Sequence, residues 1–456
     1  MRHRIQHQIK TIKHTFFQIE NGHFDNLLCT SRLTELVAVS GNYRDKIFTP
    51  LVTLNAFLWQ TLSDNGGCKE AVARIFSERL QQQLPPNSFN TGPYCKARQR
   101  LSLPWIIQEV RRIGSALHAK AGDTWTWRGF NVVLVDGTTV LIPDTAANQQ
   151  AYPQQRVQKP GLGFPIARIV GLISLSAGTV MDYAMGPHQG KGTGEASLFS
   201  TLIDSLDSGD LLLADRYYST YAILSLLSHK HVAFVSENHA QKKSNFKTGQ
   251  KLGSKDQLVE WKKPKRKPVW MSKEDYATLP DRLTIRELAV NGTVYITTLL
   301  DAKTYPKKII VELYRERWKV ELDFRTLKSD LKMEMLRCKT PDMVEKEIAV
   351  RFMAYNLIRG SMAESAYHCG RAPRDLSFKA AVQLLGAVNI QFYYSVAEFI
   401  ARSYDALLKA IASTLIGQRK RPPQPRAVKR RPKPFPLLTE PRALACQRLQ
   451  EAISTS

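Results

Sequence analysis

The sequence predicts an α/β protein: a mixed β-sheet flanked by helices, with a β-rich insertion and helical regions at both ends. Three observations carry this. Two short apolar runs, 131–135 and 211–214, have the length and composition of buried strands, and each runs into an acid, Asp136 and Asp215. Alternating stretches elsewhere are punctuated by hairpin dipeptides, Ala177-Gly178 and Asn291-Gly292. Finally, Lys307 to Glu334 lacks Gly and Pro, and Leu313, Val320, Phe324, Leu327 and Leu331 recur in it at helical intervals.

From residue 1 to 125 the pattern is helical. Thr49-Pro50 caps and opens a helix over Leu51 to Leu62, and Cys68 to Leu84 and Trp105 to Ala119 continue the theme. Between them, after Thr91-Gly92-Pro93, a short helix carries Lys96, Arg98 and Arg100, which suit a phosphate backbone and equally an ordinary exposed helix. At Asn131 the character changes to β-branched residues that deliver Asp136 to the end of a buried strand. A carboxylate there is costly unless paired or metal-bound, although Asp-Gly is also a common turn. Ile166 to Met181 alternates around Ala177-Gly178 as a hairpin. The glycines of 190–194 lack the spacing and the Lys-Ser/Thr pair of a nucleotide loop, so they read as the entry to a helix from Glu195 to Leu206, whose first residue suits the helix dipole.

The second strand ends at Asp215, with a helix from Ser219 to Leu227 and another strand from His231 to Ser236. Residues 237–302 form an insertion. Its first half is lysine-rich, including 262–267, and reads as a loop on solvent or DNA; its second half is a hairpin with a type I′ turn at Asn291-Gly292. Thr340-Pro341 opens a long helix to His368, and Phe378 to Leu415 is largely helical. Arg419 to Lys433 holds eight basic residues, no acid and many prolines, so it reads as a flexible basic tail.

Lys plus Arg number 65 against 40 Asp plus Glu, a formal +25 with a pI near 9.8, which favours a polyanionic partner without separating DNA from RNA or an anionic membrane surface. No run approaches the ~18 apolar residues of a spanning helix, and the first ten residues have no apolar signal core, so a cytoplasmic protein is expected. Six scattered cysteines form neither a CxxC pair nor a zinc-finger spacing, which argues for reduced thiols and against structural zinc.

The chemistry concentrates in Lys307–Glu334. At about 100° per residue, Tyr314, Arg317, Glu321 and Lys328 fall within an arc of roughly 60° beside the apolar stripe. A solvated face of i,i+4 pairs is the general reading of such an arc. The spacing Tyr-x2-Arg-x3-Glu-x6-Lys, with Arg317-Trp318 and Leu327-Lys328 around it, resembles the signature of DDE transposases of bacterial insertion sequences, specifically the insertion-sequence-four family. Val-Asp136-Gly-Thr and Ala-Asp215-Arg216-Tyr are similar to its two upstream blocks, and the resemblance runs from about residue 91 through 331.

The resemblance implies a ribonuclease-H-like sheet domain at 126–236 and 303–370, a helical DNA-binding domain at 1–125 to which Lys96, Arg98 and Arg100 belong, the insertion at 237–302, and a helical C-terminal region at 371–456. It implies Asp136, Asp215 and Glu321 as a DDE triad holding two Mg2+ ions, with Mn2+ able to substitute, Asp136 bridging and the other two acids completing one site each. Breaking and rejoining a phosphodiester needs an activated oxygen nucleophile and a stabilised leaving oxygen in line, which two ions about 4 Å apart supply. Water would nick, and the freed 3′ hydroxyl would attack the opposite strand or target DNA, a cut-and-paste pathway through a hairpin end.

Arg317 can fork onto phosphate oxygens, Lys328 supplies a point charge and Tyr314 a hydroxyl, so these three, with Arg216, are assigned to the DNA end. In the insertion, Trp270 or Trp261 is the candidate to stack on a flipped base. The expected partners are double-stranded DNA, as terminal inverted repeats and as target, and a second copy in a synaptic dimer at the bacterial nucleoid. The alternatives are a noncatalytic DNA-binding regulator derived from a transposase and a ribonuclease-H-like nuclease unrelated to transposition.

Overall fold

The computed structural model describes residues 2–455 except 17–21, 25, 42–45, 64, 191, 240, 393–396 and 417–437. Six helices come first: α1 (Arg2–Thr15), α2 (Thr30–Val39), α3 (Pro50–Leu62), α4 (Cys68–Gln81), α5 (Gly92–Arg100) and α6 (Leu103–Gly122). Their starts follow local chemistry. Thr49 and Ser102 accept hydrogen bonds from the amides of Val52 and Trp105, and a proline fills the first turn behind each cap.

The sheet then builds from β1 (Asn131–Leu141), followed by α7 (Ala146–Ala151), β2 (Ile166–Ser174), β3 (Val180–Pro187), α8 (Glu195–Ser200), β4 (Asp210–Ala214), α9 (Tyr221–His229) and β5 (Ala233–Glu237). Strands β1, β2 and β3 are antiparallel neighbours, whereas β4 lies parallel to β1 and β5 parallel to β4, giving the order β3-β2-β1-β4-β5. That order and those directions are the ribonuclease-H-like arrangement. The insertion adds β6 (Gln250–Gly253), β7 (Asp256–Lys262), α10 (Lys273–Thr278), β8 (Arg282–Val290) and β9 (Thr293–Thr297), and its strands extend the same sheet to nine through an antiparallel β5–β9 pairing. After it come α11 (Lys307–Arg315), α12 (Lys319–Ser329), α13 (Pro341–His368), α14 (Phe378–Phe392), α15 (Ala397–Ser413) and α16 (Arg442–Thr455).

Residue parity divides the core. Val132 and Leu134 of β1, with Leu211 and Leu213 of β4, face the cluster formed with α6, α12 and α13; Val133, Val135, Leu212 and Ala214 face the opposite cluster with Phe199 of α8 and Leu224 of α9. Helix α13 is buried on nearly every side. Helix α6 sits so close to β3 that a Cβ on Gly114 would stand 2.0 Å from the Val180 carbonyl oxygen, and Asn356 of α13 donates to that same oxygen at 2.8 Å.

Several expectations are corrected. Strand β1 does not end at Asp136: it continues to Leu141, because Gly137 to Leu141 keep pairing with β2 opposite Val170 to Ile166. Lys307–Glu334 is not one helix. A 3-10 turn at Glu316–Trp318 separates α11 from α12, and the helix stops at Ser329, with Lys332 in a left-handed conformation just beyond. The helix after the glycine loop covers only Glu195–Ser200, followed by a 3-10 turn. The first half of the insertion holds β6, β7 and α10 where a loop was expected. The hairpin turn behaves as its dipeptide requires, with Asn291 and Gly292 both at positive φ. The basic tail at 419–433 lies outside the described residues.

Candidate active site

The register of the two parallel strands brings the aspartates together. Leu134 is the last β1 residue paired with β4, opposite Leu213, and Asp136 and Asp215 stand two positions further along each strand. Neighbouring strands lie about 4.8 Å apart. By parity both side chains leave the sheet on the face that α12 covers. Asp215 directly follows β4 and caps the 3-10 turn after it, its Oδ1 accepting from the Tyr217 amide at 3.2 Å.

Glu321 arrives from the first turn of α12 and is linked to Asp136 through Arg317. One Arg317 nitrogen lies 3.5 Å from Asp136 Oδ2 and the other 3.3 Å from Glu321 Oε1. The guanidinium is 15% exposed, so these charges meet in a partly desolvated cleft. Burial pushes the Asp136 carboxyl up to about 6. The Gly137 amide and Arg317 oppose the shift, and the Glu195 and Asp215 carboxylates add to it. The three acids, separated by up to 185 positions (321 − 136), thus border one cleft with a cation between two of them.

Among the described residues no three His, Cys, Asp or Glu side chains form a ready coordination shell. The donor chemistry fits a hard divalent ion in kind, since Asp136, Asp215 and Glu321 offer only carboxylate oxygens and all three act on one cation among them, the Arg317 guanidinium.

The remaining sequence candidates fall in different places. Tyr314 is buried edge-to-face against Tyr295, 5.3 Å between centroids, and burial with nearby Glu237 pushes its hydroxyl up to about 12. Lys328 is half-buried, and burial holds its ammonium below the usual range. Arg216, Lys96 and Arg100 are exposed. Arg98 is instead turned inward, 8% exposed and over the rings of Phe57 and Tyr94, so the three cations of α5 do not form one surface row. Trp261 is a core residue that donates its indole N–H to Glu287 at 3.3 Å, and Trp270 packs half-buried beneath the insertion. Tyr217 and Trp318, next in the chain to Arg216 and Arg317, are exposed aromatics.

Two residues near the cleft had no site role in the sequence reading, where Glu195 stood only as the start of a helix in a Gly194-Glu195 element without an assigned role. Glu195 reaches over Gly137 so closely that a Cβ there would stand 2.5 Å from its carboxyl carbon, and it lies 3.8 Å from Arg168. Tyr218 is fully buried with an unpartnered hydroxyl that feels the charges of Glu195, Asp136 and Asp215. An aspartate followed by glycine was the only trace of this close approach.

Residues 127–357 match the family model described as the transposase DDE domain. The transposase InsG for insertion sequence element IS4 of Escherichia coli (strain K12) is 30% identical over 332 residues, covering 68% of this chain and 70% of that protein. The chain belongs to the insertion-sequence-four family of DDE transposases. The transposase for insertion sequence element IS421 of Escherichia coli is 35% identical over a shorter stretch of 71 residues, 16% of this chain and 19% of that protein. Among solved structures, a piggyBac transposase synaptic complex with hairpin DNA covers 88% of this chain and 85% of its own at 9% identity and a TM-score of 0.42, too loose a likeness to carry an argument. This transposase has no helix among its described residues long and apolar enough to cross a membrane.

Proposed function

We propose that this transposase cleaves the ends of its own element and joins them to target DNA by a cut-and-paste route, with Asp136, Asp215 and Glu321 as the reacting set. The observation that carries the reading is the meeting of Asp136, Arg317 and Glu321 in one cleft, with Asp215 two positions past the same β1–β4 ladder. Two Mg2+ ions held by these acids would supply an activated oxygen nucleophile and a stabilised leaving oxygen.

The chain's own residues do the rest. Asp136, raised by burial and by neighbouring carboxylates, would hold a divalent cation that offsets its desolvation cost. Arg317, the resident counterion of Asp136 and Glu321, carries two donors that would fit a phosphate of the DNA end. Half-buried Lys328 adds a point charge at the same edge, and Tyr314 fixes the approach of α11. Exposed Arg216 borders the path of the strand. A second copy would hold the other inverted-repeat end, and a hairpin would form when the freed 3′ hydroxyl attacks across the duplex.

The test is incubation with a duplex carrying the element's flanking inverted repeat, with Mg2+, with Mn2+ and with chelator. Nicking at the repeat boundary that needs the ion, followed by a hairpin or strand-transfer product, is expected. Repeat-specific binding without any cut under either ion would establish the noncatalytic regulator instead, and cutting indifferent to the repeat would establish a general nuclease.

A further inference from the structure

A cavity lined by none of the three acids has the make-up of an anion site. It has a volume of about 460 Å3 and lies where α3, the start of α4 and α5 meet the segment after α12 and the first turns of α13. Four cations line it: Arg98 of α5, Arg337 and Lys339 of the segment, and Arg351 of α13. Its single carboxylate, Glu347, is already engaged, accepting from Arg351 at 2.7 Å and from the amides of Arg337 and Cys338 at 3.0 Å each. Among the described residues no carboxylate pairs with Arg98, Arg337 or Lys339, which leaves three cations uncompensated around one space.

Arg98 is the decisive residue. It is 8% exposed, its Nε has no partner, and its terminal nitrogens meet only the Gln60 amide oxygen at 3.3 Å and the Cys95 thiol at 4.0 Å. Burying a guanidinium without an anion is expensive, and ring faces and one amide oxygen offset only part of that cost. The backbone adds to the same field. Helix α4, 14 residues long, begins on the cavity wall at Gly67 with no side chain capping it, so its first amides and its positive dipole end are available. The Arg337 guanidinium lies over the preceding glycine, where a Cβ on Gly66 would stand 3.6 Å from its central carbon. Exposed Gln99, Arg337 and Lys339 mark the mouth of the cavity.

We propose that this cavity is a binding site for a phosphate group, distinct from the acid cleft, with Arg98 at its floor, Arg337 and Lys339 at its mouth and the start of α4 as the backbone contribution. Its place gives it a consequence. The wall at 337–340 follows α12, which ends at Ser329 and carries Glu321, after the seven residues 330–336, so a phosphate seated here ties the amino-terminal helices to the segment that leads out of the acid-cleft helix. Where the phosphate belongs to the DNA backbone, the site deepens the proposed function and rests on it; as a site for free phosphate it stands alone.

Titration calorimetry with inorganic phosphate, and duplex binding measured across a salt series, test this on the full chain. Arg98→Met removes the floor charge, and the exposed pair Arg337→Ala with Lys339→Ala removes the mouth without touching the core. A charge-assisted hydrogen bond contributes about 1.5–3 kcal/mol, so each variant is expected to bind phosphate at least about tenfold more weakly. For backbone phosphate, the slope of log affinity against log salt also falls by about one for each cation removed, equally for repeat and unrelated duplexes. Weakened phosphate binding with an unchanged duplex slope assigns the site to free phosphate. Phosphate affinity and duplex slope both unchanged in the Arg337 and Lys339 variant, with wild-type thermal unfolding, overturn the proposal. Cleavage is not read in this experiment, so loss of the acid-cleft chemistry leaves its outcome intact.

Discussion

At the scale of single residues, Asp136 pays for its position. Its carboxyl is raised from 3.8 to about 6, so the folded chain holds that proton more tightly than the unfolded chain does. The stability cost is therefore absent below about pH 4, grows as pH rises through 6 and is complete above it. In metal-free buffer Asp136→Asn should stabilise the protein above pH 6 by up to about 3 kcal/mol, because each pH unit separating the folded from the unfolded value corresponds to about 1.4 kcal/mol, and should do nothing near pH 4. Thermal unfolding across that range checks it. Gly137→Ala should displace Glu195, whose carboxyl carbon lies 2.5 Å from the added atom, and lower end cleavage while leaving duplex binding near wild type. At this scale the Arg317–Glu321 pair was readable from the sequence, because four-residue spacing sets two side chains on one helix face. Glu195 was not, because its approach to Gly137 depends on how α8 folds back over the sheet.

Among the elements, the signature segment shows what periodicity conveys and what it hides. Leu313, Val320, Phe324 and Leu327 are buried as their spacing requires, yet the 3-10 turn at Glu316–Trp318 leaves no mark in the pattern, since three-residue and four-residue steps share apolar positions. The opposite side of α12 carries a feature that sequence could not expose. Asp323, 1% exposed, accepts from Arg359 at 3.0 Å, from Arg374 at 2.8 Å and from the Tyr355 hydroxyl at 3.1 Å, which clamps the Glu321 helix to α13. Asp323→Ala should cost about 3–5 kcal/mol by stranding two buried guanidinium groups, as read by denaturant unfolding. The insertion repeats the lesson: its hairpin was legible from Asn291-Gly292, whereas β6 (QKLG) and β7 (DQLVEWK) are short, polar strands with no clean two-residue alternation of apolar residues. Their anchor, the buried ion pair of Arg286 and Asp256 at 2.7 Å, joins residues 30 apart.

Over the whole molecule, the +25 charge sets the binding regime. Nonspecific duplex affinity should fall by about 10³-fold or more between 50 and 200 mM salt if at least six phosphates are contacted, and a fall below about tenfold would argue against an extended DNA surface. The strand order was foreseeable only as a class, because chain order does not state which strands pair; the parallel β1–β4 register that sets Asp136 beside Asp215 had to be seen. The central claim is that acids from three distant segments act as one unit, and its most direct test is a mutant cycle on end cleavage with Mg2+. Asp136→Asn and Glu321→Gln should each abolish cutting while retaining end binding, and the double variant should be no worse than either single one, as for residues that act together. Glu321→Gln that still cuts at the wild-type rate would contradict the account.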